Sequence, residues 1–540
     1  MLADLKAFAR YAHGLRGFLR HSLSSDDCRR QLEDGLQTRE RGFLLILEQA
    51  VYGHPRSPYA ALLRHAGVEL GDIERLVHEA GVEGTLERLH DEGVYVSLDE
   101  FKGRRPIERS GLRLSVRAED FDSPLIGAAF VGSTGGSRGP RRRVLLGFDH
   151  RAQGAIYHRL FLETFDLTDR RVGVWREGTA GISSVLGYAK VGKPVERWFS
   201  HNRVLPKRGF VKDFIFTAYT VGASRGSRMP LPWPEFVPVH EAGQVARWLA
   251  DKRREGRPAL LNTPPSSGVR VCLAAEELGL DIRGTFFRLG GEPFTAAKAG
   301  TIARTGVRAV SNYAMSEVGR VGVACATPTA LDDLHVLTDR LAVIQREHTV
   351  APGASVPALL YTTLRPTAPK LMLNFESDDY GILERRDCGC LLGELGLSTH
   401  VHDVRSYEKL TSEGITFMGS DVIVLLDEVL PARFGGQPTD YQLVEEEVGG
   451  APKVSVVISP TVGQVDDRAV VETVLNTLGA GRGWKRVMAD VWRDGGTLRV
   501  VRREPYATGA GKILPLHVLD RARPGPYPLS ASLPRRSSRS

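Results

Sequence analysis

Chemistry-bearing residues in this sequence gather at a few short stretches. The first is Gly132-Ser133-Thr134-Gly135-Gly136-Ser137-Arg138-Gly139-Pro140, followed by Arg141, Arg142 and Arg143. Glycines there let a backbone approach phosphate oxygens closely, while hydroxyls and a nearby cation serve as further donors. The competing reading is a flexible surface turn. No Gly-Lys-Ser/Thr follows, so the loop is not a Walker A motif. A second set is Cys325, His335, Cys388 and Cys390, four soft or borderline donors of the kind a structural tetrahedral zinc site uses. Cys28 and Cys272 fall outside it. Its alternative is a small core cysteine at Cys325 and a reduced turn at Cys388-Gly389-Cys390.

Further stretches follow in a fixed order: Gly290-Gly291-Glu292-Pro293, Ser311-Asn312-Tyr313-Ala314-Met315-Ser316-Glu317, Leu373-Asn374-Phe375-Glu376-Ser377-Asp378-Asp379-Tyr380, Arg405-Ser406-Tyr407-Glu408-Lys409-Leu410 and Pro505-Tyr506-Ala507-Thr508-Gly509-Ala510-Gly511-Lys512. Taken in that order, with the glycine-rich loop before them, they resemble the motifs of the adenylate-forming superfamily of acyl-CoA synthetases, peptide-synthetase adenylation domains and luciferases. Within it the likeness is greatest to phenylacetate-CoA ligases, from roughly residue 90 to 515. Several positions depart from the family pattern. Arg138 replaces Thr, Pro140-Arg141 replaces Pro-Lys, Ala314 replaces Gly, Glu376 replaces Arg and Asp378 replaces Gly. Asp378 reads as a solvated turn residue.

The resemblance implies roles. Thr134, Gly135, Gly136, Ser137, Gly139 and Arg141 would cradle the phosphates of ATP. Gly291 and Glu292 would border the adenine and acyl pockets, Tyr313 would lie against adenine, and Ser316 would belong to the same nucleotide site. Glu317 would hold Mg2+, for which carboxylate oxygen is a suitable ligand. Asp379 would accept hydrogen bonds from the ribose hydroxyls, and Arg405 would contact ribose or phosphate beside a hinge. Lys512 would be the catalytic lysine. The implied reaction activates a small carboxylic acid as its acyl-AMP with release of pyrophosphate, then transfers the acyl group, first of all to CoA. A carrier protein, a protein or a nitrogen nucleophile is the alternative acceptor. The Cys/His set also falls where phenylacetate-CoA ligase-like proteins can carry such a cluster, which implies a structural Zn2+.

The elements that must position these residues follow from periodicity. Apolar residues recur at helical spacing from Leu2 to about His90, as in Leu32 to Val51. Between about Leu112 and His335, short apolar runs such as Val172 to Val174, Ala259 to Leu261 and Thr285 to Leu289 alternate with amphipathic segments, an α/β rhythm. After Val404, strands at Lys453 to Ile458 and Thr497 to Arg502 flank a helix from about Asp466 to Leu478. The expected architecture is that of an adenylate-forming ligase: a large α/β N-terminal domain over residues 1–403 with a leading helical region (about 1–110), a small mobile α+β domain over 404–520, and a disordered basic tail over 521–540.

Composition sets the class. With 540 residues, 42% hydrophobic and 25% charged, the chain is expected to fold as a few globular domains. The longest apolar stretches, such as Pro124 to Val131, fall short of the roughly 20 residues of a membrane helix. Residues 1–20 lack the apolar core of a secretory signal, and five scattered cysteines do not make a disulfide framework, so a reducing cytoplasm is expected. Of the net charge of +8, five arginines lie in the last twenty residues, leaving +3 for the rest. A zinc-containing nucleic-acid-binding protein is therefore the weaker rival, since aromatic residues at 7% show no RNA-binding pattern. No membrane or nucleic-acid partner is expected.

Overall fold

The computed structural model of the protein describes residues 2–126, 130–134, 142–176, 178–201, 203–204, 211–227, 229–291, 294, 296–315, 317–351, 354–406, 409–412, 415–418, 422, 425–436, 440–448, 451–480, 484–506 and 516–518. The expected tail (521–540) lies outside them.

The chain begins with helices α1 (Leu2–Arg20), α2 (Ser25–Gln37), α3 (Arg39–Ile46), α4 (Pro58–His65), α5 (Leu70–Asp91) and the single turn α6 (Leu98–Phe101). The apolar repeat from Leu32 to Val51 reads as one run, yet the chain breaks at Thr38, whose hydroxyl takes the Asp34 carbonyl at 2.6 Å. A Thr side chain competes in this way with the helical ladder. The run then ends in a π turn, Leu47–Tyr52. Two hairpins follow, β1 (Ile107–Arg109) with β2 (Leu112–Leu114), and β3 (Phe130–Thr134) with β4 (Arg142–Leu146). In the second, Thr134 faces Arg142 at the neck of the glycine-rich loop.

Helix α7 (Phe148–Thr164) leads into a six-stranded, all-parallel sheet. Its strands are β5 (Val172–Trp175), β6 (Val195–Ser200), β7 (Pro234–Phe236), β8 (Leu260–Thr263), β9 (Phe286–Leu289) and β10 (Arg308–Val310), in the order β10-β9-β8-β5-β6-β7. Crossover helices include α8 (Gly178–Lys190), α9 (Val211–Ser224), α10 (Gly243–Arg254), α11 (Pro265–Glu277) and α12 (Ala296–Arg304). Every residue of β5, β8 and β9 is buried, as expected of parallel strands covered on both faces.

A seven-stranded antiparallel sheet comes next. It is built from β11 (Asn312–Met315), β12 (Gly319–Ala324), β13 (Leu334–Val336), β14 (Leu341–Ala351), β15 (Ala354–Thr363), β16 (Phe375–Arg385) and, after the turn α13 (Leu391–Glu394), β17 (Thr399–Ser406). Their order is β11-β12-β13-β17-β16-β15-β14. Past it, β18 (Lys409–Ser412) and β19 (Ile415–Met418) form a hairpin. The C-terminal region has a four-stranded sheet and its own core, in which Trp492 and Leu475 pack on Val454 and Val456. Its helix Asp467–Leu478 starts at an Asp466 cap bonded to the Arg468 amide.

Candidate functional site

Open parallel sheets place ligands beyond the carboxyl ends of their strands, where the strand order reverses. Here that reversal lies between β5 and β8. Arg176, just past β5, ties the strand ends together by donating to Asn262 Oδ1 (2.8 Å), the Thr263 carbonyl (3.1 Å) and the Gly290 carbonyl (2.8 Å). Gly290 must be glycine, because a Cβ there would lie 2.7 Å from the Asn312 carbonyl. Gly291 has φ of +96°, a conformation that glycine adopts without strain. The end of β9 is thereby pressed against β11, which carries Tyr313.

Tyr313 meets Asp379 across the antiparallel sheet. Its hydroxyl donates to Asp379 Oδ2, Ser377 Oγ donates to the same oxygen at 3.3 Å, and the Tyr361 hydroxyl lies 2.9 Å from that of Tyr313. Since the Tyr313 proton goes to the carboxylate, Tyr361 donates to Tyr313. Burial, reinforced by the Asp379 charge, pushes both tyrosines well above the usual phenol range, so both remain neutral donors. Arg405, on β17, pairs instead with Asp332 Oδ2 at 3.0 Å. The reading of Asp378 as a solvated turn needs correction. The residue is 7% exposed within β16, at a φ of +64°. Asp is among the few non-glycine residues that tolerate this conformation, and a Gly at that position in the family pattern meets the same backbone demand.

Glu317 sits in the turn between β11 and β12, and its Oε1 is paired with Lys102 Nζ, with the side chains only 11% and 9% exposed. Lys102 follows α6, and no local pattern in the sequence ties it to a glutamate 215 positions away. Arg176 was missed for the same reason. A carboxylate suits magnesium, and phosphate oxygens usually complete that ion's shell. Gly135, Gly136, Ser137, Gly139, Arg141, Glu292, Ser316 and Lys512 lie outside the described residues, and of Thr134 only the backbone is described.

The Cys/His residues converge at a second place. Cys325 follows β12, His335 lies on β13, and Cys388 and Cys390 flank Gly389 before α13. His335 Nε2 is 3.1 Å from Cys390 Sγ and 3.7 Å from Cys388 Sγ, while His335 Nδ1 is held by the Leu397 carbonyl at 2.6 Å. That outer bond fixes the tautomer that turns Nε2 toward the sulfurs. A thiol–thiol hydrogen bond pushes Cys325 up and holds Cys390 down, with His335 adding to the latter. Sequence reasoning missed His400. Ligand atoms of Cys325, His335, Cys388 and His400 all lie within 4.8 Å of one another. Buried His400 Nε2 has no hydrogen-bond partner among the described residues, and its Nδ1 is anchored on Asp333 Oδ1 at 2.8 Å. An orphaned imidazole nitrogen facing sulfurs, with carboxylate and carbonyl behind both histidines, fits a structural metal ion. Gly393 permits it, since a Cβ there would come 2.8 Å from Cys388 Sγ.

The two sheets, their order and the separate C-terminal core define the fold of the adenylate-forming ligases. Over 92% of this chain and 91% of the other, the structure is similar to that of 2-hydroxyisobutyryl-CoA ligase in complex with 2-HIB-AMP and CoA in the thioesterification state, with a TM-score of 0.51 and 12% identity. In sequence, 205 residues are 29% identical to the phenylacetate-coenzyme A ligase of Aromatoleum evansii, a match spanning 35% of this chain and 46% of that enzyme. No protein-family model matches the chain. Among the described residues no helix is long and apolar enough to cross a membrane.

Proposed function

We propose that this chain is an AMP-forming acid ligase that converts a small carboxylic acid to its acyl-AMP and then to a thioester of CoA. The observation that carries the proposal is the meeting of Tyr313, Asp379 and the Gly290-Gly291 turn at the carboxyl edge of the parallel sheet in an adenylate-forming fold.

The chemistry follows from charge. A carboxylate oxygen attacks the α-phosphorus of ATP, the new P–O bond forms as the bond to pyrophosphate breaks, and the acyl carbon gains AMP as a leaving group. In the second step the thiol sulfur bonds to that carbon and AMP departs. Reactants in the first step are both anionic, so the protein must supply alignment and positive charge. The Gly290-Gly291 turn admits the adenosine close to backbone, the Tyr313 ring packs against the base, and the Asp379 carboxylate takes ribose hydroxyls in the network it shares with Tyr313 and Ser377. Glu317 would hold magnesium, which would supply positive charge against the phosphates. Thr134, Gly135, Gly136, Ser137, Gly139 and Arg141 would serve the phosphates, and Lys512 would bring a cation. Arg405 stands at the hinge. The domain division at about residue 404 belongs to this proposal, with residues 404–520 turning between half-reactions so that Lys512 gives way to the thiol.

Zinc is proposed as a structural ion held by Cys325, His335, Cys388 and Cys390, with His400 as the neighbouring fifth donor. A carrier protein or a nitrogen nucleophile is the alternative acceptor, and a cytoplasmic location is proposed with the enzyme. Release of pyrophosphate from ATP against a panel of aromatic and short hydroxy acids, without and then with CoA, tests both half-reactions. Acid-dependent release with thioester formation only in the presence of CoA is expected. Release that is accelerated by hydroxylamine but not by CoA would replace the acceptor, and no acid-dependent release would end the proposal.

A further inference from the structure

Behind the β11–β12 turn, on the face of the antiparallel sheet covered by α7, lies a cluster of buried arginines with too few acceptors. Arg288 and Arg340 are 1% and 5% exposed, and Arg320 and Arg365 stand beside them. Arg288 donates to Asn312 Oδ1 at 3.3 Å, and among the described residues the buried carboxylate beside Arg340 and Arg365 is Asp339. It lies 3.6 Å from Arg365 Nη2 and also accepts from the Tyr157 hydroxyl.

The two nearby histidines do not make up the deficit. His150 Nε2 is 3.1 Å from the Val318 carbonyl, which makes that nitrogen the donor and leaves Nδ1 to accept from Arg340 Nη2 at 3.2 Å. His158 is flanked on both ring nitrogens by guanidinium donors, Arg288 Nη1 at 3.2 Å from Nδ1 and Arg320 Nη2 at 3.0 Å from Nε2. A neutral imidazole has one acceptor nitrogen, so one of those contacts is unmet. Burial, with the arginines beside them, holds both histidines well below their usual range, hence neutral. Arg320 Nε and Nη1 and Arg365 Nε are shut off from solvent and have no hydrogen-bond partner among the described residues. An uncompensated buried charge costs several kcal/mol.

Arg320, Arg340, Arg365, His150 and Thr363 line a cavity of about 10 Å³, room for a single small occupant. Water brings two protons to a site already rich in donors. We propose that this cavity is a binding site for a small monatomic anion of chloride size, held by Arg320 and Arg365. The anion supplies the acceptor that the cluster lacks and offsets its excess positive charge. Polyatomic anions such as sulfate exceed the space. The cavity is lined by Val318 and Arg320, close in the chain to Glu317, and its test needs no enzymatic activity.

The test is the thermal midpoint of the full chain in sodium chloride, sodium bromide and sodium gluconate at equal ionic strength. An ion that binds only the folded state raises Tm with its concentration, here by roughly 1–3 °C for each tenfold rise above the dissociation constant. Chloride and bromide should do so, and gluconate should not. Arg320→Met and Arg365→Gln should each flatten the chloride response. Crystals grown in bromide should show anomalous signal between Arg320 and Arg365, which decides the matter even where a variant fails to fold. Equal Tm in chloride and gluconate, or a bromide crystal without signal there, would overturn the proposal.

Discussion

Lys102 and Glu317 form an ion pair that is nearly closed to water. Lys102→Met should cost about 1–3 kcal/mol in urea unfolding, because it removes a cation paired with a carboxylate that is only 11% exposed. Combining it with Glu317→Gln should recover most of that loss, and additive effects in the double variant would deny the coupling. Glu317→Gln alone should shift the magnesium dependence of acid-dependent pyrophosphate release to higher concentration while the fold persists. Asp379→Ala should raise the KM for ATP about tenfold, the worth of one or two hydrogen bonds to ribose. An unchanged KM would remove Asp379 from the nucleotide site. Much at this scale was legible in the sequence, since Tyr313, Asp379 and the Gly290-Gly291 turn lie in short motifs and meet in space. Lys102, Arg176 and His400 were not, because each gains its role only from partners dozens to hundreds of positions away. Asp378 was misread because turn-like composition says nothing about a left-handed residue inside a covered strand.

Elements carry the next set of consequences. The end of β9 presses on β11 through a glycine, so Gly290→Ala would drive a methyl into the Asn312 carbonyl and displace the strand that bears Tyr313. The expected outcome is a higher KM for ATP with a smaller change in Tm, and a variant with wild-type KM would show that the contact does not position the site. Near β11 in the antiparallel sheet, the loops after β12 and before α13 meet β13 and β17 through sulfur and imidazole. Metal affinity at a structural site is folding free energy, so Cys390→Ser should lower Tm and metal content together. Elemental analysis should find about one zinc per wild-type chain. His400→Gln should lower metal content as well, because the orphaned His400 Nε2 lies in the same cluster. Loss of metal in His400→Gln but not in Cys390→Ser would assign the fourth ligand to the histidine. Strand and helix positions were largely legible here, because all-buried runs such as β5 and β9 and the amphipathic helix Asp467–Leu478 announce themselves by period. The break at Thr38 was not, since apolar spacing runs unbroken through a hydroxyl that ends the helix.

Across the whole molecule, the described residues form a parallel sheet, an antiparallel sheet and a C-terminal unit with its own core. Motif order made that architecture legible in the sequence. The acid to be activated was not legible, because the side chains that would select it are dispersed and no spacing records them. Lys512 is the proposed catalytic lysine, and Lys512→Ala should slow acyl-AMP formation by about 100-fold or more while leaving Tm unchanged. The measurement that tests the central claim most directly is the fate of ATP labelled at the α- and γ-phosphates, followed across the acid panel in the full-length protein. Cleavage between the α- and β-phosphates, giving AMP and pyrophosphate in proportion to the acid consumed, is the result expected, with acyl-AMP accumulating when CoA is withheld. ADP and phosphate as products, or no acid-dependent turnover with any acid of the panel, would contradict it.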